Sequence, residues 1–164
     1  MNILIVYASK SGTTESCARM LSDELDNVDL VNLEHKTPII SDYGTVIIGG
    51  SIRFGRVHPL VKSFMDQNLE ELKQKRIGLF ICCGFVQDTE QHFLNNFPYS
   101  LLEQAVAIDS FGGEIRPEAL GNFERFMAKL ITKTTALKED PPKILPANIH
   151  KFAEKIEESI RGYK

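Results

Sequence analysis

The sequence predicts an α/β fold in which a parallel sheet is covered by helices on both faces. Apolar runs at residues 3–8, 45–50 and 76–83 indicate buried strands. Between these runs, apolar residues recur at helical spacing, as Cys17, Ala18, Leu21 and Leu25 do after the first strand. Because strands and helices alternate, we expect right-handed βαβ units, whose ligands bind at the carboxyl ends of the strands.

Five strands are predicted in chain order. They lie at residues 3–8, 28–33, 45–50, 76–83 and 105–111. The second strand alternates apolar and polar side chains, whereas the third is strongly apolar and ends in Gly49 and Gly50. We interpret residues 51–58 and 84–87 as loops, and Gly112 and Gly113 as the end of the fifth strand.

Helices are predicted after the first, third, fourth and fifth strands and near the end of the chain. Pro59 suits a first helical position, and Gly162 suits the end of the last helix. Asp88 and Gln91 resemble a capping box that opens the third helix. An amphipathic helix at about residues 121–135 precedes a proline-rich linker. The predicted inward-facing residues of the second, third and last helices are Leu60, Val61, Phe64, Met65, Leu72, Phe93, Leu94, Phe97, Ile149, Phe152, Ala153, Ile156 and Ile160.

The composition predicts one globular domain of residues 1–164. Its 164 residues, 43% hydrophobic and 25% charged, suffice for a sizeable core. A net charge of -3 gives no strong field for nucleic acid. We expect no signal peptide and no membrane span, since neither a leader pattern nor a long apolar run is present. Cys17 is expected in the core, and the adjacent Cys82 and Cys83 lack redox or metal spacing. We therefore predict no metal, and a cytoplasmic location.

The hydroxyl-rich turn between the first strand and the first helix predicts a phosphate site. Amides at a helix start have no partner within the helix, and the helix dipole makes that end partly positive. Neither a glycine triad nor Gly-Lys-Ser/Thr follows, so the dinucleotide and triphosphate fingerprints are absent and a monoester phosphate is favoured. A plain helix start with Ser11 as N-cap is the alternative. The predicted phosphate-binding residues are Ser9, Lys10, Ser11, Gly12, Thr13 and Thr14.

The spacing Ser-x-Ser-Gly-x-Thr at residues 9–14 resembles the phosphate loop of the flavodoxin family. The resemblance implies a flavodoxin-like three-layer sandwich, a five-stranded parallel sheet of order 2-1-3-4-5, and FMN as the cofactor. It also implies that hydroxyls of Ser9, Ser11 and Thr14, with amides from residues 12–15, hold the FMN phosphate.

The same resemblance implies that two later loops hold the isoalloxazine ring. The matching residues are Ser51, Ile52, Arg53, Phe54 and Gly55 in one loop, and Gly84, Phe85, Val86, Gln87 and Asp88 in the other. A flat ring stacks well on an aromatic side chain, so Phe54 is the candidate for one wall. The alternative for Phe54 is a loop anchor packed into the core. Gly50 and Gly55 would let loop amides approach the ring.

A longer stretch of the chain resembles the menaquinone-dependent protoporphyrinogen dehydrogenase family. The resemblance rests on VIIGGSIRFG at residues 46–55 with His58 after it, GEIR at 113–116, and ERFMAKLI at 124–131. That family is a flavodoxin fold with an extra helical segment between strand five and the last helix. Ordinary flavodoxins usually offer Trp or Tyr at the flavin and are far more acidic, whereas this chain has no Trp and a net charge of -3.

This second resemblance implies an FMN-dependent dehydrogenation of protoporphyrinogen IX in haem biosynthesis, with electrons passed to a quinone. Arg53, Arg56 and Arg116 would pair with propionates, because a guanidinium matches a carboxylate in a bidentate fork. Solvated surface arginines are the alternative. Arg53 and His58 are the candidate catalytic residues, since an imidazole can move a proton near neutral pH. A structural role just before Pro59 is the alternative for His58.

The helix predicted at about residues 121–135 has an apolar stripe beside the basic residues Arg125, Lys129 and Lys133. A basic amphipathic helix suits an anionic membrane surface or a partner's groove. Because a quinone is dissolved in the bilayer, we expect peripheral contact with the inner face of the membrane through this helix. Packing of the stripe on the domain's own core is the alternative.

Two other functions stay open from the sequence. The first is a flavodoxin-like electron-transfer protein that serves a redox protein and has no small-molecule substrate. The second is a flavin-free binding module on the same fold. The hydroxyl-rich turn argues against the binding module, and the weak net charge and extra helix argue against the electron carrier.

Overall fold

Five parallel strands form the central sheet of the protein. The structure is a computed structural model that describes residues 2–84, 86–114, 121 and 141–162. The strands are β1 (Ile3–Ala8), β2 (Val28–Asn32), β3 (Thr45–Arg53), β5 (Arg76–Cys82) and β6 (Ala107–Ser110). Their spatial order is β2-β1-β3-β5-β6. Counted as parallel strands alone, this is the predicted order 2-1-3-4-5, so the flavodoxin-like prediction is confirmed.

A short strand that the sequence did not predict extends the third parallel strand into a hairpin. Strand β4 (Arg56–Val57) pairs antiparallel with the end of β3, with Ile52 opposite Val57 and Arg53 opposite Arg56. The region at 51–58, predicted as a loop, is therefore largely a hairpin.

Helices cover the sheet on both faces. They are α1 (Thr13–Asp23), α2 (Pro59–Leu72), α3 (Thr89–Asn96), α4 (Tyr99–Gln104) and α5 (Pro146–Arg161), with a 3₁₀ turn at Val86–Asp88 before α3. Alternate residues of β1 point to opposite faces, as expected for a strand. Leu4 and Val6 pack in the cluster with α2, α3 and α4, whereas Ile3 and Ile5 pack in the cluster with α1 and α5. The predicted three-layer sandwich is confirmed.

Most predicted helix positions are found, with three corrections. Leu60 and Leu94 are 39% and 55% exposed, because Val61 and Phe93 beside them take the inward positions on the helix. The predicted capping box is wrong: at the start of α3 no side chain of the described residues caps the helix. Asp88 ends a 3₁₀ turn with φ -98° and ψ 15°, whereas a capping side chain usually sits on extended backbone.

The helix predicted at about residues 121–135, with Arg125, Lys129 and Lys133, lies outside the described residues. Within the described ranges, no helix is long and apolar enough to cross a bilayer. Cys17 is buried as predicted, and Cys82 and Cys83 are also buried cysteines outside any disulfide.

Candidate functional site

Three chain segments meet at the carboxyl edge of the sheet. Ala8 at the end of β1 pairs in register with Gly50 of β3, and Gly50 pairs with Ile81 of β5. The segments that follow these residues, 9–12, 51–58 and 83–88, therefore leave the sheet at one level. They contain the residues that the sequence predicts for cofactor binding.

Gly12 forms the turn between β1 and α1. It is the N-cap of α1 and has φ 82°, a left-handed conformation that glycine adopts without steric cost. Its amide donates a hydrogen bond to Ser9 Oγ at 3.0 Å, and its carbonyl accepts from Ser16 N at 3.0 Å. The alternative with Ser11 as N-cap is therefore wrong. No side chain among the described residues caps this helix start, which leaves its first amides available to an anion.

Thr13 and Thr14 carry buried hydroxyls that lack partners. The two residues are 4% and 0% exposed. Neither Thr13 Oγ1 nor Thr14 Oγ1 makes a hydrogen bond of full geometry in the part of the chain that the structure describes, although the Thr14 hydroxyl lies close enough to the Cys82 thiol to lower its pKa slightly. Buried polar groups are nearly always hydrogen-bonded in native proteins, so each such atom requires an explanation. A ligand seated on the turn would supply the missing partner.

Ser51 and His58, on the hairpin side of the edge, show the same property. Ser51 Oγ and His58 Nε2 are buried, and neither has a hydrogen-bond partner among the described residues. His58 Nδ1 accepts from Leu60 N at 3.3 Å, which caps α2 and puts the proton of the neutral ring on Nε2. The Glu34 carboxylate lies 3.8 Å from Nε2, too far for a hydrogen bond. His58 thus has the structural role that the sequence suggested as an alternative, since it caps α2 through Nδ1. Its Nε2 is also a buried hydrogen-bond donor.

Burial and nearby charges keep His58 neutral. Burial lowers the pKa of His58 below its ordinary value; Glu34 opposes this effect, and Lys10 and Arg53 add to it. The two cations come from the turn after β1 and from the hairpin, so both segments contribute positive charge near the imidazole. This field favours an anionic ligand at the edge.

The buried Cys82 thiol near the phosphate turn is uncharged. The pKa of the Cys82 thiol is raised well above its usual range, first by its hydrogen-bonding contact with Cys17 and then by burial. The thiol therefore adds no negative charge below the turn. Glu15 in the first turn of α1 is paired with Arg19 at 2.7 Å, which offsets its repulsion of an anion.

These features fit the phosphate-bearing cofactor that the sequence resemblance implies. The turn offers uncapped helix amides, a glycine in the left-handed region and two unpaired hydroxyls. Ser9 accepts from Gly12 and keeps its own proton for donation, and the exposed Lys10 adds charge. Ser11 is partly buried in the same turn.

Phe54 sits at the tip of the β3–β4 hairpin. It is 67% exposed and has φ 50°, followed by Gly55 with φ 74°. The alternative in which Phe54 anchors the loop in the core is wrong, because most of its surface is accessible. Gly50 also has a packing role: a Cβ there would lie 2.6 Å from Val57, so the glycine lets the hairpin pack on β3.

The remaining predicted residues are distributed around the edge. Arg53 is partly buried and Arg56 is exposed, and the two are opposite each other in the hairpin. Ile52 is partly buried next to them. On the other loop, a Cβ added to Gly84 would lie 3.2 Å from the Pro142 side chain, so the two residues are packed closely. Asp88 is exposed. Val86 begins the 3₁₀ turn. Phe85 and Arg116 lie outside the described residues.

Two residues near the edge carried no sequence signal. Glu34 follows β2 and reaches His58, and Asn96 at the end of α3 contacts the hairpin through its side chain. Both contacts join residues far apart in the chain.

In the described ranges, no group of three or more His, Cys, Asp or Glu residues could hold a metal ion. An open polar groove lies away from the hairpin, beside α1 and β2, lined by residues that include Tyr7, Arg19, Asp29, Lys36 and Tyr43.

Comparisons with known proteins place this geometry in context. The sequence matches the model of a protein family described as flavodoxin domain over residues 4–141. The protoporphyrinogen IX dehydrogenase (quinone) of Escherichia coli strain K12 is 25% identical over 158 residues, covering 87% of this chain and 85% of that protein.

Two solved structures share the fold. The flavodoxin of Fusobacterium nucleatum bound to flavin mononucleotide is 14% identical, with a TM-score of 0.53 over 96% of this chain and 98% of that chain. The rubredoxin oxygen:oxidoreductase of Desulfovibrio gigas is 20% identical, with a TM-score of 0.52 over 97% of this chain. This chain spans 37% of the length of that second protein.

Proposed function

Because the chain belongs to the flavodoxin domain family, we propose that it binds FMN at the carboxyl edge of its sheet and acts as a flavin-dependent oxidoreductase. The observation that carries the proposal is the position of the unpaired polar atoms. Four are found in the described residues: Thr13 Oγ1, Thr14 Oγ1, Ser51 Oγ and His58 Nε2. The first three belong to segments predicted to bind the cofactor, and the fourth lies three residues after the segment at 51–55. Each such atom costs about 1–3 kcal/mol when left without a partner.

The flavodoxin family and the FMN-bound structures of this fold support FMN as the ligand that completes these atoms. In this proposal the amides after Gly12 and the hydroxyls of Ser9, Ser11, Thr13 and Thr14 hold the phosphate, with Lys10 adding charge. Phe54, Gly55 and the segment at 84–88 surround the ring and limit its contact with water. FMN, when bound, supplies the redox chemistry.

The proposed substrate is protoporphyrinogen IX, with a quinone as electron acceptor. Support comes from the E. coli relative that bears this activity in its name and aligns with most of this chain. Arg53 and Arg56 face each other across the hairpin, a position from which guanidinium groups could pair with propionates. Arg116 and the basic helix at about 121–135 stay predictions from the sequence, as do a cytoplasmic location and peripheral membrane contact.

The cofactor is tested by titrating the apoprotein with FMN, FAD and riboflavin. We expect tight binding of FMN, weak binding of FAD and of riboflavin, which has no phosphate, and loss of most FMN affinity in Gly12→Val. Riboflavin binding as tight as FMN binding would show that the phosphate turn is misassigned.

The ring position is tested with Phe54→Ala. Loss of a stacked aromatic contact is worth about 0.5–1.5 kcal/mol, so we expect FMN affinity to fall about two- to tenfold with a shift in flavin absorbance. Tyr99→Ala is the matched control, because Tyr99 is an exposed aromatic residue (68%) on α4. Equal FMN affinity in the two variants would remove Phe54 from the site.

The substrate is tested by anaerobic mixing of the FMN-loaded protein with protoporphyrinogen and then with a menaquinone analogue. We expect bleaching of the flavin absorbance by the porphyrinogen and its return on addition of the quinone. Reduction by a flavodoxin reductase but not by porphyrinogen would favour the electron-transfer alternative while leaving FMN binding intact.

A further inference from the structure

The Phe54 turn, defined as residues 53–56 between β3 and β4, has a backbone that its sequence does not favour. Phe54 and Gly55 both have positive φ, at 50° and 74°. Two consecutive residues with positive φ form the type I′ turn of two-residue hairpins, which prefers Asn-Gly at these positions. A phenylalanine with positive φ is a genuine outlier, so the surrounding structure must hold this turn in place.

Asn96 at the end of α3 makes the contacts that hold the turn. Its Oδ1 accepts a hydrogen bond from Val57 N at 2.9 Å, and its Nδ2 donates to Gly55 O at 2.9 Å. The hairpin itself has only two residue pairs in register. One side chain therefore binds a backbone acceptor of the turn and the backbone donor of the residue directly after it.

The same helix turn also reaches the loop after β5. His92 Nε2 lies 3.6 Å from Cys83 Sγ, and the His92 carbonyl accepts from Asn96 Nδ2 at 2.8 Å. Cys83 directly follows β5 and precedes Gly84 of the second flavin loop. A continuous set of polar contacts thus runs from one loop to the other through α3.

We infer that Asn96 is a positioning residue that fixes the Phe54 turn, and that α3 sets the separation of the two loops around the proposed flavin ring through Asn96 and His92. The inference rests on the proposed function for its consequence, because the loops matter for redox chemistry only if they hold FMN. The contacts themselves join only residues of this chain.

The first test measures amide hydrogen exchange of Val57 by NMR in the apoprotein. We expect exchange about two- to tenfold faster in Asn96→Ala, the factor for loss of one ordinary hydrogen bond. Asn95→Ala is the matched control, because Asn95 lies on the same helix and contacts Gln91 instead, at 2.8 Å. Asn96→Asp keeps an oxygen acceptor for Val57 N and should retain protection there while losing the bond to Gly55 O.

The second test measures FMN affinity, flavin absorbance and midpoint potential in the same variants. We expect Asn96→Ala to weaken FMN binding several-fold and to shift the potential, with Asn95→Ala close to wild type. If wild type does not bind FMN, the proposed function fails, while the exchange data still decide whether Asn96 holds the turn. If wild type binds FMN and Asn96→Ala matches Asn95→Ala in exchange, affinity and potential, the inference is overturned. Should Asn96→Ala not fold, Asn96→Asp, which loses the bond to Gly55 O, carries the measurements of affinity and potential, and values equal to those of Asn95→Ala overturn the inference.

Discussion

Two glycine turns at the same edge of the sheet have similar backbones and different surroundings. Gly12 follows β1 with φ 82°, and Gly112 follows β6 with φ 73°. Both turns require the left-handed region that glycine reaches without strain. From the sequence, Gly12 is predicted in a phosphate-binding turn and Gly112 at the end of a strand.

The Gly112 turn is closed by the chain itself. Its carbonyl accepts from Cys83 N at 2.8 Å and its amide donates to Ser110 Oγ at 3.3 Å. A Cβ on Gly112 would lie 2.1 Å from Lys143 O, because the segment at 143–145 packs directly on it. The turn has its partners, and no space is left for a ligand.

The Gly12 turn is followed by residues whose partners are missing. Ser9 and Ser16 bind the Gly12 backbone, whereas the hydroxyls of Thr13 and Thr14 are buried without partners among the described residues. A glycine with positive φ therefore indicates only a tight turn. Buried polar groups without partners are the additional feature that indicates a ligand-binding turn. The predictions below test this distinction.

The largest expected effect is on the closed turn. Gly112→Ala adds a Cβ against Lys143 O and forces a non-glycine residue into the left-handed region. The combined cost is about 2–5 kcal/mol of unfolding free energy, measured by urea denaturation of the apoprotein. FMN affinity, measured where the variant is folded, should stay near that of wild type.

Gly12→Ala is the matched change at the open turn. It should cost about 1–2 kcal/mol through backbone strain and should weaken FMN binding strongly. The distinction between the turns breaks if Gly112→Ala loses FMN binding and keeps stability, or if the two variants behave alike.

The second effect concerns two buried threonines. Thr13→Val removes a hydroxyl without a partner, so we expect apoprotein stability unchanged or slightly raised and FMN affinity lowered about tenfold to a hundredfold. Thr45→Val removes a hydroxyl that accepts from Arg76 at 3.3 Å and should cost about 1 kcal/mol of stability with no change in FMN affinity. Stability loss in Thr13→Val larger than in Thr45→Val would mean that Thr13 already has a partner.

The parallel strands could be predicted from the sequence because their signals are local. Apolar runs bounded by turn residues define β1, β3 and β5 within a residue or two at most, apart from the extension of β3 into the hairpin. Strand β4 has two residues, too few to show alternation. Helix α4 has six residues and follows Pro98, which ends the helical pattern of α3 and restricts Phe97 to extended backbone.

The site could be predicted only in part for the same reason. The hydroxyl-rich turn at 9–14 is a local motif, whereas the pairing state of each hydroxyl depends on distances between elements. Asn96 contacts Val57 and Gly55 across 39 and 41 residues of chain, and no short motif encodes such a pair. His58 shows the intermediate case, since a histidine before a helix-starting proline indicates a cap but not a buried free Nε2.

The smallest expected effect is the pH dependence of stability that His58 causes. This residue lies near the Gly12 turn and is buried in its neutral form. Its pKa is lowered by burial, with Lys10 and Arg53 adding and Glu34 opposing. The unfolded chain therefore takes up a proton first as the pH falls. The stability that His58 contributes is complete above its unfolded pKa of about 6.5 and is lost as the pH falls through the lower folded pKa.

We expect the urea midpoint of the apoprotein to decline between pH 7.5 and 5.5, and this decline to be smaller in His58→Asn, since asparagine can still cap α2. His150 provides the opposite sign, because its hydrogen bond to Glu24 raises its pKa. Its contribution is complete below about 6.5 and disappears as the pH rises through the raised pKa. His150→Gln should therefore flatten the profile only on the alkaline side. If His58→Asn leaves the acid-side decline unchanged, the imidazole is not held neutral at the edge, and Nε2 is not the unpaired donor that distinguishes the open side from the closed one.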